Sequence, residues 1–122
     1  MYYHGPVHDA ENQQSKVAVS KDGIHFTAFP ENLGNSYFKV FWWNDYVYAL
    51  AMPGVFYRSQ NGRTNFQLGP TLFSENMRHS AIQLDGSRLT VFYSNKLDCP
   101  ERILCSTIDL TPDWMDWQPS PA

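Results

Sequence analysis

Two groups of ionisable and hydrogen-bonding side chains carry the chemistry this chain has on offer: His4, His8 and Asp9 near the start, and Glu75, Arg78 and His79 past the middle. Hydrolysis of a glycosidic bond needs two carboxyl groups, about 5 to 5.5 Å apart for retention or about 6.5 to 9.5 Å for inversion. Glu75 as general acid, with Asp9 as the second carboxyl, is the pair available for that work. Against it stands the plainer reading, in which Glu75 is a solvated loop residue and Asp9 caps a turn. His4, His8 and His79 with Asp9 also have the ligand types that suit zinc. The four-residue spacing of the first two falls on a loop-like stretch rather than a helix, and no metal is expected. Arg78 and His79 supply donors that suit sugar hydroxyls or a carboxylate. Together with His4, His8, Tyr37 and Trp42 they form the candidate ligand-binding set. Trp42 and Trp43 are successive residues of a strand and face opposite sides, so one belongs to a core and the other is free to stack on a sugar or line an interface. A Gly-rich phosphate loop and a paired Cys-x-x-Cys site are both missing, and no cofactor is expected.

The elements that must position these groups are strands. Residues 37–43 and 46–52 are β-branched and aromatic runs separated by Asn44-Asp45, while residues 54–59 and the segment around Phe66 flank Gln60-Asn61-Gly62. This predicts a four-stranded antiparallel unit over residues 35–69, with Gly69-Pro70 as its end. Before it, residues 1–4 make a short strand broken at Gly5-Pro6, residues 7–15 read as a loop, and residues 16–20 pair with 24–29 through Lys21-Asp22-Gly23. Asp22 is expected to close that hairpin by accepting hydrogen bonds from nearby backbone amides. After the central unit, residues 77–84 pair with 88–94 through Asp85-Gly86, and residues 102–107 add a third strand. A last strand is expected near Trp117.

The composition agrees with an all-β domain: 122 residues, 43% hydrophobic, 17% charged and 16% aromatic. A net charge of -3 with scattered Lys and Arg gives no basic stripe, so nucleic acid is excluded as an expected partner. No run of about 18 apolar residues and no charged-then-apolar leader predict a soluble chain without membrane contact. Pairing Cys99 with Arg102 across a turn at Pro100-Glu101 sets Cys105 opposite Lys96, which argues against a disulfide. Two reduced thiols fit a cytoplasmic location.

Segments of the chain repeat. Ser20-Lys21-Asp22-Gly23 with Phe26 corresponds to Ser59-Gln60-Asn61-Gly62 with Phe66, and more loosely to Ser106-Thr107-Ile108-Asp109 with Trp114, at spacings of 39 and 47 residues. One propeller blade takes typically about 40 to 50 residues. On the Ser20 to Phe26 hairpin, its Ser59 copy and the strand pairs of residues 37–52 and 77–94, the chain resembles the five-bladed β-propeller glycosidases of the arabinanase, levansucrase and invertase superfamily. The hairpin is also similar to the Asp box of sialidases but lacks that box's residue between Asp and Gly.

This resemblance implies antiparallel four-stranded blades in an incomplete five-bladed β-propeller. It implies one partial domain over residues 1–122: a partial blade at 1–30, then blades at 35–69 and 75–118. It puts His4, His8, Asp9, Glu75, Arg78 and His79 at strand ends and loops that build the rim of a central funnel. The family's three carboxylates are not present as a set, so the expected function is carbohydrate binding by a glycoside-hydrolase-like fragment. An active hydrolase completed by oligomerisation and a structural or protein-interaction module are the alternatives. Unpaired edges in an incomplete ring predict self-association, first of all a two-fold dimer approximating a closed propeller.

Overall fold

The structure, a computed structural model, describes residues 1–6 and 13–122. Every regular element among them except one turn of 3-10 helix is a strand, and every strand pair is antiparallel. The strands form three consecutive open sheets, none closed into a barrel.

The first sheet contains β1 (Tyr2–Gly5), β2 (Gln14–Ser20), β3 (Phe26–Ala28) and β4 (Gly34–Asn35). Both β3 and β4 pair with β2, at Ala18↔Ala28 and Ser15↔Gly34, so they are two pieces of one interrupted strand. The chain between them stays tethered, because the Phe29 and Leu33 N–H groups donate to the Val17 and Ser15 carbonyls at 3.0 and 2.8 Å. The second sheet runs in sequence order through β5 (Lys39–Trp43), β6 (Tyr46–Ala51), β7 (Val55–Ser59) and β8 (Gln67–Thr71). The third contains β9 (Met77–Asp85), β10 (Arg88–Asn95) and β11 (Leu104–Asp109), with β10 in the middle. After the 3-10 turn Trp114–Asp116, the expected last strand is reduced to a single bridge, Ile108↔Pro119.

The second sheet is buried on both faces, and its alternation shows which residue serves which neighbour. Phe41, Tyr48, Leu50 and Phe56 pack with Met77, Leu89, Val91, Ile108, Leu110, Trp114 and Trp117 of the third sheet and its tail. The intervening residues Ala49, Ala51, Val55 and Tyr57 pack with Val17 and Leu33 of the first. Trp117 is 1% exposed, lies 4.9 Å from the Tyr48 ring and 5.6 Å from that of Phe56, and donates its indole N–H to the Thr111 carbonyl at 2.9 Å. A large side chain with one satisfied polar atom suits such a position.

The expected four-stranded unit is present with shifted bounds. Strand β5 starts at Lys39 rather than Tyr37, because Tyr37 takes a left-handed φ of 64°. Gly69-Pro70 does not end the unit: β8 runs through it, and an edge strand can accept a proline because the outward side of the ladder needs no donor. In the third sheet β11 begins at Leu104, so residues 96–103 form a long connection instead of a tight turn at Pro100-Glu101. Cys105 consequently lies opposite Phe92 and not Lys96, and Cys99 and Cys105 are both exposed free thiols. The loose third repeat falls inside β11, so Asp109, not Ser106, ends its strand as Ser20 and Ser59 end theirs.

The first two repeats share one hydrogen-bond pattern. Asp22 Oδ1 accepts from the Ile24 and His25 N–H groups at 2.8 Å each, and Ser20 Oγ accepts from the Gly23 N–H at 2.8 Å. Asn61 Oδ1 accepts from Arg63 and Thr64 N–H at 2.8 and 3.0 Å, and Ser59 Oγ from the Gly62 N–H at 3.1 Å.

Candidate functional site

The three sheets bring one aromatic side chain each to a common row. The His4 ring, on β1, lies 4.3 Å from the Tyr37 ring just ahead of β5, and Tyr37 meets the His79 ring of β9 edge-on at 5.9 Å. Local structure fixes each member. Asn35, two residues before Tyr37, is held from three directions: its N–H donates to the Tyr57 hydroxyl (3.3 Å), its side-chain amide donates to the Met52 carbonyl (2.9 Å), and its carbonyl accepts from Ser15 Oγ (2.6 Å). His79 sits in a β-bulge. Phe92 pairs with Ala81 and Ser94 with Arg78, leaving His79 and Ser80 together opposite Tyr93.

Tyr37 and His79 both have left-handed backbones, with φ of 64° and 46°. For residues with a Cβ this conformation costs roughly 1–2 kcal/mol each. Such strain persists where surrounding structure enforces it, and bulges of this kind re-aim a side chain beside functional sites.

Beside the row runs an open groove of about 420 Å³, lined by Tyr37, Lys39, His79, Phe92, Tyr93 and Ser94 among others. It combines ring faces and an aliphatic wall with an ammonium, an imidazole and hydroxyls. Arg78 turns aside to form a forked pair with Glu101, Nε to Oε1 at 3.1 Å and Nη2 to Oε2 at 3.3 Å. The Ser94 hydroxyl and then the Arg78 charge hold the Glu101 carboxyl below its ordinary value, so it stays an anion tied to its partner. Among the described residues no Asp or Glu lines the groove, and no cluster of three or more His, Cys, Asp or Glu side chains could hold a metal.

Of the residues singled out in the sequence, His4, Tyr37 and His79 come together, and Arg78 adjoins them through its neighbour His79. Trp42 does not join them. It is 61% exposed toward the far end of β5 and does not line the groove. Trp43 instead packs on Trp117 at 6.2 Å, the division of the two tryptophans that strand alternation requires. Glu75 is exposed in the turn before β9 and makes no side-chain hydrogen bond or ion pair among the described residues. His8 and Asp9 lie outside the described residues. Lys39, Ser94 and Glu101 were not foreseen, since an isolated polar residue in a strand or loop carries no local signal of a distant partner.

The chain is 32% identical over 134 aligned residues to an uncharacterized protein of Acanthamoeba polyphaga mimivirus. That alignment covers 96% of this chain and 38% of the viral protein. No family model and no solved structure matches the chain.

Proposed function

We propose that the chain binds carbohydrate in the groove beside Tyr37 and His79, as part of a β-propeller of glycoside-hydrolase type that lacks a complete catalytic set. The observation that carries this reading is the row His4, Tyr37 and His79, in which two residues hold left-handed backbones at the point where the three sheets meet. Exposed ring faces stack on the apolar faces of sugars, while Lys39 and the His79 ring offer hydrogen bonds to their hydroxyls. The propeller reading is supported by the succession of three antiparallel sheets and by the turn pattern shared 39 residues apart. Binding is favoured over hydrolysis because no Asp or Glu among the described residues lines the groove, and Glu101 is committed to Arg78.

Titration of the isotope-labelled protein with neutral oligosaccharides tests the proposal. Resonances of Tyr37, His79 and Lys39 should shift together and saturate. Tyr37→Ala should weaken binding about fivefold, the equivalent of one aromatic contact of about 1 kcal/mol. Shifts confined to the hairpin at Asp22 would remove the assignment. Should hydrolysis be detected, it must vanish in the Glu75→Gln, Asp9→Asn double variant if those two are its carboxyls.

A further inference from the structure

A second pocket lies at the opposite end of the second sheet, where β6 begins and β7 ends. Its volume is about 300 Å³, at the lower end of the range for ligand sites. Among the described residues Arg58 is the only charged one that lines it. The guanidinium carbon sits 4.4 Å from the Tyr46 ring centroid and 4.4 Å from that of Trp114, so the plane is clamped between two rings.

A guanidinium held this way keeps its faces occupied and presents only its N–H edge. That edge lacks a counter-ion: among the described residues no carboxylate pairs with Arg58, and its buried Nε has no hydrogen-bond partner. Directly across the ladder, the buried Tyr48 hydroxyl is also without a partner. Glu31, whose carboxylate accepts from the Asn65 backbone N–H at 2.8 Å, does not line the pocket. The side-chain amides of Gln60, Asn65 and Gln67 line the same space and make no hydrogen bonds among the described residues. Leaving a buried charged donor unpaired is costly, and a guanidinium fork suits a planar anion that the exposed Gln60, Asn65 and Gln67 amides can also reach.

We propose that this pocket binds a carboxylate on the edge of Arg58, with the Gln60, Asn65 and Gln67 amides around it. The carboxylate belongs either to an acidic sugar or to a simple organic acid. The site is independent of the groove at Tyr37 and stands whether or not that groove binds neutral sugars.

The test is titration of the isotope-labelled protein with sodium acetate, sodium glucuronate, sodium phosphate and glucose, at constant ionic strength set with sodium chloride. The readouts are the Arg58 Nε–H and Trp114 indole N–H resonances. Both carboxylates should move these signals to saturation, and glucose should not. Glucuronate binding at least tenfold tighter than acetate identifies an acidic sugar, and comparable affinities identify a simple acid. Arg58→Lys keeps the charge without the fork and should weaken binding at least tenfold. If that variant unfolds, Gln67→Ala should still weaken binding severalfold with an unchanged spectrum elsewhere. Signals indifferent to both carboxylates, an equal response to glucose, tighter binding of phosphate, or full affinity in the variant that folds would each overturn the proposal.

Discussion

Asp22 acts as a clasp. Its Oδ1 receives two backbone N–H groups and the Ser20 hydroxyl, while Oδ2 meets His25 Nδ1 at 2.7 Å. The His25 side chain, then the backbone N–H groups of His25 and Ile24, hold the carboxyl well below its ordinary value. A carboxyl that binds its proton less tightly when folded contributes fully above its unfolded value, about 3.9, and loses that contribution as pH falls through the folded value. Asn61 fills the equivalent turn with an uncharged amide oxygen, so Asp22→Asn should keep most of the melting temperature at neutral pH and Asp22→Ala should lose more. The gap between wild type and Asp22→Asn should narrow below about pH 4; calorimetry across that range checks both statements, and equal losses in the two variants would mean that the charge itself closes the turn. Gly69 has a different constraint, because a Cβ there would overlap the Trp114 ring. Gly69→Ala should therefore destabilise by about 1–3 kcal/mol in urea unfolding, the range for overpacking a rigid neighbour.

The elements were legible in the sequence to the extent that their turns were. Asn44-Asp45 and Asp85-Gly86 announced hairpins because those residue types tolerate positive φ, and Asn44, Asp45 and Gly86 indeed have φ of 48°, 66° and 59°. Pro70 misled because the signal of a missing donor is local, whereas the edge position that makes it harmless is a tertiary fact. The third repeat misled because Ser106 matched by residue type while lying in mid-strand. As for the site, His79 could be selected as a polar residue at a strand end and Tyr37 as an aromatic beside one, but neither the bulge at His79 nor the left-handed backbone at Tyr37 is written in any nearby residue. This yields an experiment on β9. His79→Gly removes the steric penalty of the left-handed backbone, so stability should rise by up to about 1–2 kcal/mol while oligosaccharide binding falls. Reduced stability in that variant would show that the ring contact with Tyr37 outweighs the backbone strain.

At the scale of the molecule, the outer sheets each keep one face without a neighbouring sheet among the described residues. Phe92 and Ile103 are 38% and 81% exposed beside the groove on the third sheet, and Phe26 is 45% exposed on the first. Apolar groups on an open sheet favour association with a further sheet, and a second copy of this chain can supply one. Light scattering at micromolar concentration should therefore report a dimer, and Phe92→Glu should shift it toward monomer. A wild-type protein that scatters as a monomer would refute the incomplete-ring argument.

The two seams that flank the middle sheet are unequal. The seam toward the third sheet buries eleven residues, Phe41, Tyr48, Phe56, Trp114 and Trp117 among them, whereas the other buries seven, with Phe38, Val55 and Tyr57 beside the small Ala49 and Ala51 against Val17 and Leu33. Opening a seam costs free energy in proportion to the apolar area it returns to water. Brief excursions of the chain should thus peel the first sheet away while the second and third remain joined, so that deuterium enters the amides of β2 earlier than those of β6 and β10. Because His4 travels with the first sheet, each such excursion also breaks the row at Tyr37, and a ligand seated across that row would slow isotope uptake in β2.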